Sequence, residues 1–182
     1  MYTYLENRVK VIFLGDCKSG KTTLLDNYKN IQHDIYSPTI GVNFYGFFYD
    51  NIHYDCWDTS GNKMFQRILD IYLKNLDKVF IVIDISLSKE KINNSIKKWT
   101  NFVKKNKGQA HKYIIFSKID KIDHKNLEDK KIYIQELHLD DYTLHYLNIK
   151  IRHNVEHYFN KNIFYTVKQP QKQEKDTCCC II

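Results

Sequence analysis

The sequence predicts a three-layer α/β fold, a mostly parallel six-stranded sheet with helices on both faces, and three observations predict it. Strand-like apolar runs alternate with helical patterns along the chain. One run, Val79-Phe80-Ile81-Val82-Ile83, is apolar at every position, as a parallel strand covered on both faces must be. A glycine-rich turn follows directly behind the first apolar run, and in doubly wound sheets ligands gather at the carboxyl ends of the strands.

The first strand is read at 9–14 and is followed by a helix at 21–29, opened by Thr22-Thr23-Leu24-Leu25. Runs at 44–49 and 52–57 flank Asp50-Asn51, a pair suited to turn an antiparallel hairpin at one edge. A short helix is expected at 65–73, and the buried strand is 79–83. In 90–105, Ile92, Ile96, Trp99 and Val103 recur at three- and four-residue steps, the signature of an amphipathic helix. A strand at 113–116, a helix at 127–137, a strand at 142–149 and a helix at 155–165 complete the pattern. No internal repeat is present.

With 182 residues, 43% of them hydrophobic and 14% aromatic, the chain fits one globular domain. We read 1–166 as that domain and 167–182, polar and without periodicity, as a flexible tail. The net charge of +7 points to anionic partners, but no nucleic-acid-binding module is recognisable, so a phosphate ligand and an anionic membrane are the expected ones. No apolar stretch approaches the ~20 residues that cross a bilayer, and the first residues lack a signal-peptide core. A cytosolic location with reduced thiols is expected.

The turn Gly15-Asp16-Cys17-Lys18-Ser19-Gly20-Lys21-Thr22 satisfies the pattern G-x-x-x-x-G-K-[ST] in the strand–turn–helix context that pattern requires. Gly15 and Gly20 let the backbone turn its N–H groups onto phosphate oxygens, and the helix beginning there, with Thr22 and Thr23, points its positive end at the same anion. Lys21 is placed for the outer phosphates and the Thr22 hydroxyl for magnesium, which predicts binding of a nucleoside triphosphate. Asp58, at the end of a strand in Trp57-Asp58-Thr59-Ser60-Gly61, is a second magnesium candidate, and the Gly61 N–H can approach the terminal phosphate. In Ser117-Lys118-Ile119-Asp120 the Asp120 carboxylate matches the N1–H and 2-amino donors of guanine, and the Lys118 stem can cover the base. Such pairing discriminates strongly, because adenine would leave the carboxylate unpaired. Thr39, in the loop before the second strand, is placed to add a hydroxyl to magnesium and to sense the terminal phosphate.

On these motifs, and on Ile40-Gly41-Val42-Asn43-Phe44 and the stretches 65–68 and 81–86, the chain resembles the Ras-like small GTPases, and among them the Rab family, from Arg8 to its last residue. The resemblance implies a P-loop GTPase (G domain), a GDP/GTP switch in vesicle and membrane trafficking that uses Mg2+. Implied partners are an exchange factor, a GTPase-activating protein, a GDP-dissociation inhibitor and effectors. Effector reading would involve Ile40, Gly41 and Phe65 with an aromatic trio, Phe44, Trp57 and Tyr72. The ending Cys178-Cys179-Cys180-Ile181-Ile182 resembles a prenylation signal, with Cys179 and Cys180 as acceptors, so attachment to the cytoplasmic face of an intracellular membrane is expected.

Several residues depart from the family pattern. Asn62 stands where most relatives have the Gln that orients the attacking water, which predicts slow hydrolysis of GTP to GDP and phosphate. Lys18 replaces a small residue and is expected to point outward. Ser117 replaces an Asn, and its short hydroxyl is expected not to tie the phosphate loop to the base loop. Aligning the final helix places Ile149 and Lys150 in the last base-contacting motif. A GTP-bound, non-cycling scaffold is the alternative reading.

Overall fold

Val11, Ile12, Phe13 and Leu14 are all fully buried, which places the first strand, β1 (Asn7–Leu14), in the middle of the sheet. It pairs in parallel with β3 (Ile52–Thr59) on one side and β4 (Lys78–Asp84) on the other. The computed structural model describes residues 7–32, 37–105 and 109–164. Beyond β4 lie β5 (His111–Ser117) and β6 (Thr143–Leu147), both parallel to their neighbours. The opposite edge is β2 (Val42–Tyr49), antiparallel to β3, and the six-stranded order is β2-β3-β1-β4-β5-β6. The expected three-layer fold is the observed one.

Asp50 and Asn51 do turn the β2–β3 hairpin. Their φ values of 49° and 59° are the left-handed pair that a two-residue turn between twisted strands needs. Pairing runs from Tyr49↔Ile52 out to Val42↔Thr59, two residues further than the apolar pattern alone extends each strand.

One face of the sheet is covered by α1 (Lys21–Lys29) and α5 (Arg152–Tyr158), the latter continued by a π-helical turn over Phe159–Ile163. Aromatic rings fill this layer: Tyr28 stacks on Phe159 at 4.3 Å between centroids, and Phe80 stacks on Phe13 at 5.1 Å and on Tyr113 at 4.6 Å. Each such pair adds roughly 1 kcal/mol to its area burial. The buried Lys78 ammonium donates to the carbonyls of Asn162 and Ile163 and so caps the end of the last helix. The other face carries α2 (Leu69–Tyr72), α3 (Lys89–Lys105) and α4 (His124–Gln135). The stripe read from the sequence, Ile92, Ile96, Trp99 and Val103, is the buried side of α3.

Of the boundaries that differ from expectation, the last helix starts at Arg152 instead of 155, and three more shape the ligand end or its flank. The helix expected at 65–73 is a 3-10 turn over Lys63–Ile68 followed by the short α2. α4 starts at His124, because Asp123 caps it by accepting the Asn126 N–H at 2.9 Å. β6 stops at Leu147, so Asn148, Ile149 and Lys150 form a loop at the ligand end of the sheet. The tail 167–182, with Cys179 and Cys180, lies outside the described residues. Among the described residues no helix is long and apolar enough to cross a membrane.

Candidate functional site: a phosphate and metal pocket

The carboxyl ends of β1, β3 and β5 open onto a cavity of about 460 Å3. Its walls include Cys17, Lys18, Gly20, Lys21, Thr22 and Thr23 from the first loop and helix, Thr39 and Ile40 from the loop before β2, Gly61 and Asn62 after β3, and Lys118 after β5. Gly20 holds φ at 100°, and a Cβ there would drive into the Ile149 side chain, so the loop after β6 packs directly on the phosphate turn. Lys21 is 5% exposed and its Nζ donates to the carbonyls of Gly15 at 3.0 Å and Asp16 at 2.9 Å. Burial lowers its pKa to about 8, opposed by Asp58 and Asp16. An ammonium short of hydration and held by two carbonyls and, more loosely, the Ser19 hydroxyl at 3.5 Å has no carboxylate partner among the described residues and is primed for a polyanion. Lys18 is exposed, but it lies in the cavity wall.

Three oxygens converge behind it. The Thr22 hydroxyl donates to Asp58 Oδ2 at 2.6 Å and lies 2.9 Å from the Thr39 hydroxyl, which is itself 3.2 Å from Oδ2. Asp58 is fully buried, its Oδ1 has no hydrogen-bond partner, and burial raises its pKa against the Thr22, Lys21 and Thr39 interactions. An orphaned buried carboxylate oxygen beside two hydroxyls is a hard-oxygen donor set suited to Mg2+. Gly61 approaches the phosphate turn so closely that a Cβ would collide with the Asp16–Cys17 peptide.

At the base end one expectation is overturned. Ser117 is fully buried and its hydroxyl lies 2.6 Å from the Ser19 carbonyl and 3.1 Å from that of Ile83. The short side chain does tie the two loops, because the strand end sits close enough to the turn that a hydroxyl spans the gap. Lys118, at φ 61°, bridges from the Lys18 carbonyl at 2.5 Å to Asp84 Oδ2 at 2.6 Å. Asp120 meets Lys150 in an ion pair of 3.1 Å. Ile149 is buried, and its carbonyl accepts from the Asn27 amide.

A model of the ADP-ribosylation factor family matches residues 1–162. The chain belongs to that family. Curated relatives come from several branches of the Ras-like small GTPase superfamily. Ras-related protein Rab-7B of Dictyostelium discoideum is 31% identical over 53% of this chain and 49% of its own. ADP-ribosylation factor-like protein 5 of Caenorhabditis elegans is 30% identical over 51% of this chain and 56% of its own. The human Rho-related GTP-binding protein RhoE is 31% identical over 50% and 39%. The alignments span about half the length of these relatives. Kinship thus extends to the superfamily and its nucleotide-binding α/β fold, and is not specific to the Rab branch.

Against that family background, three features of this ADP-ribosylation factor family chain are not legible in its sequence. Asn62 Oδ1 accepts the Met64 N–H, so the amide caps the turn Lys63–Ile68. The Asp16 carboxylate is taken up by α3: Ser95 Oγ donates to Oδ2 at 2.5 Å, and Lys98 Nζ and Trp99 Nε1 donate to Oδ1 at 2.6 and 3.2 Å. Burial pushes the Asp16 carboxyl up, but the Lys98, Ser95 and Trp99 donors outweigh it and hold its pKa below the usual value. A backbone bond from Ser60 N–H to the Gly41 carbonyl at 2.8 Å joins the loops on either side of the hairpin.

Of the residues expected to read effectors, the three aromatic ones lie side by side. Phe44 lies 6.1 Å from Trp57 and Trp57 6.2 Å from Tyr72 between ring centroids, a continuous aromatic row. Ile40 is 79% exposed and Phe44 57%, whereas Gly41, Phe65, Trp57 and Tyr72 are half-buried.

Proposed function

We propose that this chain is a magnesium-dependent guanine-nucleotide switch, with slow intrinsic GTP hydrolysis, acting in Rab-like fashion in vesicle trafficking at the cytoplasmic face of an intracellular membrane. The observation that carries this reading is that Lys21, Thr22 and Thr39 line one cavity, with the buried Asp58 carboxylate hydrogen-bonded to both hydroxyls behind them. In this reading the Lys21 ammonium exchanges its two carbonyl partners for outer phosphate oxygens, and Thr22 and the Gly61 N–H donate to the same group. Magnesium held by Thr22, Thr39 and Asp58 would supply charge against the phosphate oxygens as the terminal bond to water forms and the phosphoanhydride breaks. Asp120 leaves Lys150 to accept the guanine N1–H and 2-amino group, while Lys150 and Lys118 flank the base. Prenyl groups on Cys179 and Cys180 would provide the two-chain anchoring that a stable membrane attachment takes. An exchange factor, an activating protein, a GDP-dissociation inhibitor and effectors complete the cycle by family resemblance.

The cap role of Asn62 favours a second reading, a GTP-bound scaffold that no longer cycles. Identifying the nucleotide released on denaturing the purified chain separates the two: GDP supports the cycling switch and GTP the scaffold. An adenine nucleotide, or none, overturns guanine binding.

A further inference from the structure

Asp16 stands where three parts of the site meet. Its carbonyl accepts from Lys21 Nζ at 2.9 Å and from the Ser19 N–H at 3.2 Å, so it shapes both the lysine and the turn. Its peptide to Cys17 is the surface against which Gly61 lies. Its side chain, pointing the other way, is held by three donors from one helix: Ser95, Lys98 and Trp99 at positions i, i+3 and i+4 share a face of α3. The Lys98 ammonium also sits over the Trp99 ring, 4.5 Å from its centroid, which fixes both donors together.

A carboxylate inside a phosphate-binding turn is an electrostatic liability, since its charge repels a polyphosphate and its conformational freedom loosens the loop. Here both problems have one remedy. The ammonium neutralises the charge at 2.6 Å, and the neutral donors fix the orientation. We propose that Ser95, Lys98 and Trp99 are positioning residues for the phosphate loop, and that through Asp16 helix α3 sets how long the chain retains its nucleotide. The inference rests on the nucleotide-binding reading above and adds to it a control point on a helix that does not touch the ligand cavity.

The test uses the full chain loaded with a fluorescent GDP analogue in magnesium, chased with excess GDP, for the parent, Lys98→Ala, Lys98→Arg, Asp16→Asn and the double variant Asp16→Asn/Lys98→Ala. Loss of a charge-assisted bond that also leaves a bare carboxylate should speed release about tenfold in Lys98→Ala. Lys98→Arg, which keeps the cation, should release at the parent's rate. The double variant should release more slowly than Lys98→Ala, because the unpaired charge is gone; a purely structural role for Lys98 would not produce that reversal. A second readout needs no nucleotide: the alkylation rate of Cys17, next in sequence to Asp16, should rise severalfold in Lys98→Ala. Unchanged release and unchanged Cys17 reactivity in Lys98→Ala would overturn the proposal, as would additive effects of the two substitutions. If the parent holds no guanine nucleotide, the guanine reading fails, and the Cys17 rate alone then decides the clamp in either direction.

Discussion

Asn62 and Met64 are joined by a hydrogen bond in which the Asn62 Oδ1 accepts the Met64 N–H at 3.0 Å. The side chain that would orient water is therefore engaged in starting a helical turn, a task for which Asn is among the best residues and Gln is not. Asn62→Gln should raise single-turnover GTP hydrolysis by about tenfold, as a longer amide reaches the attacking position. The same change should cost up to about 1 kcal/mol of stability through the lost cap. Equal hydrolysis rates for the two proteins, measured as phosphate release, would show that the cap does not limit catalysis.

Gly61→Ala should weaken triphosphate binding more than any conservative change elsewhere in the cavity. The added methyl meets backbone of the Asp16–Cys17 peptide, which has no side-chain freedom with which to yield. Overpacking of this kind costs roughly 1–3 kcal/mol, so calorimetric affinity should fall by about 5- to 150-fold.

Cys17 is exposed in the cavity wall, whereas Cys56 is fully buried and its thiol is pushed far up by burial. Iodoacetamide should modify Cys17 and spare Cys56 in the folded protein, and saturating GTP with magnesium should slow the Cys17 reaction. Peptide-resolved mass spectrometry checks this; alkylation of Cys17 at the same rate with and without nucleotide would place the ligand elsewhere.

Nucleotide affinity and the stability of the free protein should respond to pH with opposite signs. Burial holds Lys21 at about 8, well below its ordinary 10.5, and Lys78 likewise at about 8. Below pH 8 the Lys21 ammonium is already present to meet phosphate. Above it, binding must take up a proton, so affinity should fall by up to about tenfold per pH unit. In the free protein the unfolded chain binds more protons than the folded chain between the lowered and ordinary values, so unfolding free energy should rise with pH across that window. Calorimetric titrations and denaturant melts between pH 7 and about 10 separate the two trends; parallel trends would remove Lys21 from the phosphate contact.

What could be read from the sequence was whatever chemistry is local. Gly15 to Thr22 is a contiguous strand–turn–helix segment, so its residue order dictates its shape, and the buried run 79–83 announces its own environment. The Asp50-Asn51 hairpin is equally local. The Asp16 clamp was hidden because its donors lie about 80 residues away, although Ser95, bordering the apolar stripe of α3, was a signal that the helix carries a polar contact inward. The Ser117 tie is hidden for the same reason: side-chain length says nothing of how far apart two backbones stand, and here they stand close. The helical turn at Lys63 and the helix at His124 begin ahead of their apolar patterns because their cap residues, Asn62 and Asp123, are polar and fall outside such a pattern.

The register of the β2–β3 hairpin makes its two loops a single mechanical part. Val42 pairs with Thr59, and one step beyond, the Gly41 carbonyl holds the Ser60 N–H, so the segment leading from Thr39 and the segment leading to Gly61 are stitched at the mouth of the pocket. Two residues in the other direction the same ladder pairs the exposed Phe44 with the half-buried Trp57, whose rings lie 6.1 Å apart edge-to-face. The distance from stitch to rings is about 10 Å along the strand. A displacement of Thr39 or Gly61 by as little as a bond length thus arrives at the aromatic row as a tilt of a paired, stiff ribbon. A partner docking on Phe44 and Trp57 would grip the handle of a lever whose short arm lies at the mouth of the pocket, and force applied there would travel inward as readily as it travels out.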